Sequence, residues 1–226
     1  KELTLYLVFL RPLGLRLDPF AAPSALRIFV PHSKAKFPER YYWDKCSKVA
    51  LQDALLRRFA EISAKFCYQA KGSGKSGVIQ VSHCGQEVLE RTACEITKEG
   101  IHIRFFVGFP ANGRTINSGE LEKILFVYLP KCVEMSLYHR KVPERETEQV
   151  ICLKEDQRVI REELKKRGLI AFVANGSILP RQSGNSDLPM KDAVPFQSPK
   201  SMEITIQLRH RGSITGMGIR KGITLI

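Results

Sequence analysis

The chain has no C-x-x-C pair, and its six cysteines (Cys46, Cys67, Cys84, Cys94, Cys132, Cys152) form no Cys/His cluster at zinc-ligand spacing. That excludes the usual structural zinc sites and leaves free thiols in a reducing compartment as the expectation. Long apolar runs are also missing. Leu3 to Leu10 ends at Arg11, well short of the roughly 20 residues needed to span a membrane, so it reads as a strand and no membrane partner is expected. The five histidines are scattered and no Ser/His/Asp or Cys/His arrangement stands out. No catalytic residue and no metal ligand is therefore assigned. There is no internal repeat, and Asn175-Gly176-Ser177 is a chance sequon, since nothing else points to secretion.

Negative charge is scarce as well: 23 Asp and Glu face 36 Lys and Arg, a formal excess of +13 over 226 residues. Such an excess favours a polyanionic partner such as RNA, DNA or nucleotide phosphates. With 43% of its residues hydrophobic, the chain is long enough to bury a core. The expected setting is intracellular and soluble, in the cytoplasm or an organelle. The chain begins with Lys1 and ends on the apolar run Ile223 to Ile226, so both ends read as cut from a longer protein.

Along the chain, Leu26 to Val30 is a β-rich run. From Cys46 to Phe66, apolar Val49, Leu55, Leu56, Phe59, Ile62 and Phe66 recur at helical spacing, with Lys48, Arg57, Arg58 and Lys65 mostly elsewhere, which predicts an amphipathic helix with a basic outer side. Strands follow over Val78 to Val81, Thr92 to Thr97 and Ile101 to Val107. The last two form a hairpin whose Gly100 is expected to supply a positive φ. Glu120 to Leu129 and Lys131 to Arg140 read as two helices broken at Pro130. A third helix opens at Glu155 and Asp156 and closes at Lys165 to Arg167, with Glu162/Lys166 and Glu163/Arg167 as ion pairs and Gly168 as its stop. Leu169 to Ala174 is apolar enough for a strand buried on both faces. Gly176 to Val194 leaves little room for regular structure, and Met202 to Leu208 and Gly222 to Ile226 read as strands.

Two loops carry candidate chemistry. Gly74-Lys75-Ser76 resembles part of a phosphate-binding loop, but G-x-x-x-x-G-K-[ST] needs a glycine where Gln69 stands, and a strand follows instead of a helix. Two readings stay open: an ordinary flexible turn, or a loop (Gly72, Ser73, Gly74, Lys75, Ser76) that turns backbone N–H groups and one ammonium toward a phosphate or RNA backbone, helped by Arg57 and Arg58. In the second loop, Arg181 could clamp a phosphate beside Ser183, or simply contact Asp187 within a surface loop.

Six motifs appear in order: Asp18-Pro19-Phe20-Ala21-Ala22-Pro23-Ser24, Gly72 to Gly77, Gly85-Gln86-Glu87-Val88-Leu89-Glu90-Arg91, Val173 to Arg181, Ala193-Val194-Pro195-Phe196-Gln197-Ser198-Pro199 and Gly216-Met217-Gly218-Ile219. By them the chain resembles the predicted ATPases of the ABC class, the family with a dedicated N-terminal domain, from about Asp18 to Ile226. Leu10 to Leu17 departs from the polar pattern expected ahead of Asp-Pro-Phe. The resemblance implies an α+β (mixed α/β) chain, with an N-terminal accessory domain over 1–169 and the first strands of an ABC-type P-loop domain over 170–226, stopping before the Walker A loop. It implies ATP and Mg2+ in the full-length protein, a homodimer, and adenine packing near Arg209 or His210, with Arg181 and Ser183 as the other candidate nucleotide contacts. On this reading the chain alone is inactive. The accessory domain is expected to touch RNA or another nucleic acid; the alternative is a structural or dimerising domain with no ligand of its own.

Overall fold

The computed structural model describes residues 11–14, 20–113 and 115–222. The strand expected over Leu3–Leu10, and all but Gly222 of the one expected at the end of the chain, lie outside the described residues. Two compact units divide the chain, Lys1–Val150 and Ile151–Ile226. Helices and antiparallel sheets both contribute, as an α+β chain requires.

In the first unit, β1 (Arg11–Gly14), β2 (Ser24–Pro31), β3 (Ile79–Gln80), β4 (Cys94–Ile96) and β5 (Gly100–Val107) form an antiparallel sheet in the order β1-β2-β5-β3, with β4 also paired to β5. Alternation dictates its inner face: Leu26, Ile28 and Val30 of β2 and Ile101, Ile103, Phe105 and Val107 of β5 are all buried. Gly100 does not adopt a positive φ. Its hydrogen side chain serves close approach instead, because a Cβ there would lie 2.2 Å from the Val30 carbonyl oxygen.

Next come the single turn α1 (His32–Ala35) and the long helix α2 (Lys45–Ala64). Asp44 caps α2, its Oδ1 accepting the N–H groups of Cys46 at 2.6 Å and Ser47 at 3.2 Å. Of the apolar stripe read from the sequence, Val49, Leu55, Leu56, Phe59 and Ile62 are buried, while Phe66 lies past the end of α2 and is half-buried. Phe59 meets Phe105 with ring centroids 5.5 Å apart. A short ribbon, β6 (Ala111–Asn112) with β7 (Thr115–Ile116), leads into α3 (Ser118–Lys123). Pro130 does not break the chain into two helices here. Ile124–Tyr128 forms a π turn that runs directly into α4 (Leu129–Leu137), with the Leu129 N–H bonded five residues back to Ile124. Pro130 follows as the second residue of α4 and donates no N–H to the turn before it, yet the helix continues.

The helix expected from Glu155 begins eleven residues earlier, as α5 (Glu144–Lys166). Gly168 follows it at φ 65°, the left-handed stop that was expected. Its ion pairs are partly exchanged: Glu163 takes both Lys166 and Arg167 at 3.0 Å, while Glu162 lies 3.9 Å from Arg158.

In the second unit, β8 (Leu169–Ala174), β11 (Glu203–Gln207) and β12 (Ser213–Arg220) make a sheet in the order β11-β12-β8. The remaining strands of this unit, β9 (Arg181–Ser183) and β10 (Ser186–Pro189), pair as a hairpin inside the segment expected to lack regular structure. Strand β8 is not buried on both faces, since Ile170 is 56% exposed. Strand β12 had no counterpart in the sequence reading. Its Gly216 admits the neighbouring strand, where a Cβ would stand 2.2 Å from the Val173 carbonyl oxygen.

Candidate nucleotide and phosphate contact sites

In the second unit, the turn between β11 and β12 is held from below by two adjacent carboxylates of α5. The Leu208 N–H bonds to the Gly212 carbonyl at 2.8 Å, and Gly212 supplies the required positive φ of 72°. Asp156, 2% exposed, accepts the backbone N–H groups of Arg209 and His210 through Oδ1, each at 3.0 Å. Its Oδ2 is buried without a partner. Glu155 Oε2 meets His210 Nε2 at 2.7 Å and Arg209 Nη1 at 3.4 Å. Both side chains of the turn are thus aimed by one carboxylate while the other fixes their backbone. Glu155 and Asp156 were read from sequence merely as the acidic opening of a helix. No local pattern links them to residues more than fifty positions away.

Arg181 and Ser183 sit on β9, both exposed. Arg181 Nη1 lies 3.9 Å from Asp187 Oδ1 across the hairpin, and Ser183 Oγ bonds Asn185 Oδ1 at 2.8 Å. An exposed pair at that separation contributes little to stability, so the guanidinium remains available to a stronger acceptor. No hydrogen bond or ion pair among the described residues joins this hairpin to Arg209 or His210.

The Gly72–Ser76 loop of the first unit is bonded inward. Ser73 donates its N–H to the Ala111 carbonyl at 2.7 Å, Ser76 Oγ donates to the Ser73 carbonyl at 2.6 Å, and the Ala111 N–H returns to Ser76 Oγ at 3.1 Å. Gly74 turns the chain at φ 59°, and Gly108 packs so closely that a Cβ on it would lie 1.8 Å from the Lys75 carbonyl oxygen. Ser76 is buried, whereas Lys71, Gly74 and Lys75 are exposed. The nearby carboxylate is Glu120, which accepts the Lys71 N–H at 3.0 Å and pairs with Lys123 at 2.5 Å.

The two helix arginines are occupied elsewhere. Arg57 pairs with the buried Asp53 at 2.6 Å and donates to the carbonyls of Gly85 and Glu87, while Arg91 holds the other oxygen of Asp53. Arg58 donates to the carbonyls of Met135 and Lys141 at 2.9 and 3.1 Å. The structure does not bring Arg57 and Arg58 into hydrogen-bond contact with the Gly72–Ser76 loop.

Residues 2–140 match the family described as "ATPase of the ABC class N-terminal", and residues 143–226 match the P-loop domain of ABC ATPases. The chain belongs to the ABC-class ATPases. A search of curated proteins returns no match. Family membership supports an ATPase and, through the P-loop domain, nucleotide and Mg2+ use in general. In this ABC-class chain no three or more His, Cys, Asp or Glu among the described residues are grouped so as to hold a metal ion. No described helix is long and apolar enough to cross a membrane. All six cysteines are free. Burial pushes the Cys132 thiol up to about 12 and raises that of Cys94, so neither supplies a thiolate at neutral pH.

Proposed function

We propose that this ABC-class protein binds ATP with magnesium and hydrolyses it between paired P-loop domains of a homodimer, the turn at Arg209 and His210 meeting the adenine end. The observation that carries this reading is the clamp on that turn, in which Asp156 holds two successive N–H groups and Glu155 holds both side chains. A turn fixed in this way presents a guanidinium plane and an imidazole without having to order them on binding, which reduces the entropic cost of stacking against a base. Arg181 and Ser183 then contribute a phosphate contact from the β9–β10 hairpin. The 226 residues contain no complete G-x-x-x-x-G-K-[ST], so hydrolysis is assigned to the protein with the whole P-loop domain. The test uses that protein. Arg209→Ala with His210→Ala should raise KM for ATP about tenfold, the equivalent of roughly 1.4 kcal/mol of lost contact, with kcat kept. An unchanged KM would remove the turn from the nucleotide site.

A second activity, contact with RNA, is favoured by the Gly72–Ser76 loop, whose inner side is fully engaged while Lys71 and Lys75 project outward. Anisotropy of a short single-stranded probe at two salt concentrations checks it. Binding should fall as salt rises, because each neutralised phosphate releases counterions, and should weaken in Lys75→Ala. Absence of binding at low salt leaves the first unit with a structural or dimerising role.

A further inference from the structure

A cleft of about 780 Å³ opens in the first unit between the end of β2 and the start of α2. Its walls include His32, Glu39, Tyr42, Trp43, Lys48 and Lys98. Trp43 is the sole tryptophan of the chain and is 71% exposed. Leaving so large an apolar ring in water is unfavourable unless something covers it. Beside it the Tyr42 ring stacks on His32, centroids 4.6 Å apart and planes within 8°. His32 is itself fixed to the β4–β5 turn, through Nε2 to the Thr97 carbonyl at 2.9 Å and its N–H to the Glu99 carbonyl at 3.2 Å. The Tyr42–His32 stack is therefore held in place, and the exposed Trp43 ring lines the same cleft. Lys48 projects from the first turn of α2 and Lys98 from the β4–β5 turn, and neither forms an ion pair among the described residues. The one carboxylate of the cleft, Glu39, would repel a phosphate and accept from an exocyclic amine or ring N–H.

Flat π surfaces next to unpaired ammonium groups fit a nucleobase that carries phosphate. We infer that this cleft binds an unpaired base of single-stranded RNA, the base on Trp43 and its flanking phosphates on Lys48 and Lys98. The inference rests on the RNA reading above and gives it a second point of contact.

Because Trp43 is the only tryptophan, its fluorescence reports on this cleft, while anisotropy of a labelled oligonucleotide reports total binding. The experiment titrates the 226-residue chain with a short oligouridylate and, separately, with uridine monophosphate. Tryptophan quenching that saturates together with the anisotropy, and a Lys48→Ala, Lys98→Ala variant about tenfold weaker in both signals, is the expected result. In Trp43→Leu, an exposed position whose truncation leaves the core intact, anisotropy should report a similar loss. A rise in anisotropy without quenching overturns the cleft and leaves RNA binding to the Gly72–Ser76 loop. Quenching by the mononucleotide at concentrations as low as for the oligonucleotide overturns RNA as the occupant. No signal of either kind overturns the RNA reading and the cleft together.

Discussion

The two larger antiparallel sheets among the described residues of this ABC-class chain are held by different means. In the first unit, β2 and β5 alternate cleanly between buried and outward positions and lay their inner face on α2, around Phe59 and Phe105. In the second, Ile151, Leu169, Ile206 and Leu208 are the apolar side chains buried among the described residues, while Ile170, Leu179, Leu188 and Val194 are more than half exposed. The second sheet relies on continuous backbone pairing from β11 through β12 to β8, and on carboxylates that tie its turn to α5. Apolar burial makes a unit sensitive to lost volume, whereas a polar clamp makes it sensitive to a single acceptor.

The contrast breaks most visibly at Phe59. Phe59→Ala should cost about 3–5 kcal/mol through the cavity it leaves, read as a large drop in the melting temperature of the first unit. If that unit melts as before, its core is not what holds it. Asp156→Ala is the corresponding test of the second unit. Stranding two donors should cost about 2–3 kcal/mol and remove amide-exchange protection at 208–212, with the protection of β2 and β5 unchanged. Loss of protection in both units would show that they do not respond separately. The smallest effect is expected at His102, which stacks on Phe29 at 4.7 Å. Burial, and then the Arg27 and Arg104 guanidiniums against the weaker pull of Glu95 and Glu99, hold its imidazole below the usual range. The unfolded chain takes up this proton first as pH falls. Stability from His102 is therefore present above about pH 6.5 and is lost on acidification. Thermal melts between pH 7.5 and 5 should show a shallower decline in His102→Gln, and identical slopes would exclude the imidazole as a cause.

The sequence made the first unit easier to read than the second, for reasons visible in particular residues. Strand β2, helix α2 and the β4–β5 hairpin are each dictated by a local apolar period, and Gly168 by its place after a run of basic residues. Strand β12 was invisible because Gly216 and Gly218 lower its strand propensity, and they are there for a tertiary reason: the backbone of β8 and the side chain of Ile204 come too close for a Cβ. The early turns of α5 are polar, so their apolar period is weak. Of the candidate contacts, the Gly72–Ser76 loop was legible as a turn, but its locking by Ala111 was not. Arg57 and Arg58 read as outward cations since nothing in their neighbourhood announces the carbonyls that they bind, which lie 28 to 83 residues away. The Trp43 cleft escaped for the same reason, its walls being drawn from α1, the start of α2 and the β4–β5 turn.

The π turn at Ile124–Tyr128 has a consequence for insertions and deletions. Such a turn accommodates one more residue than an α-helical turn while the helix on either side keeps its direction. Taking out one residue, Phe126 or Val127, which are 51% and 41% exposed, would let the segment close as ordinary α-helix with Ile124 and Leu129 still facing inward. In most helices a single deletion turns every downstream side chain by about 100°; here the chain has a place where its length can change by one and the packing of α4 is kept.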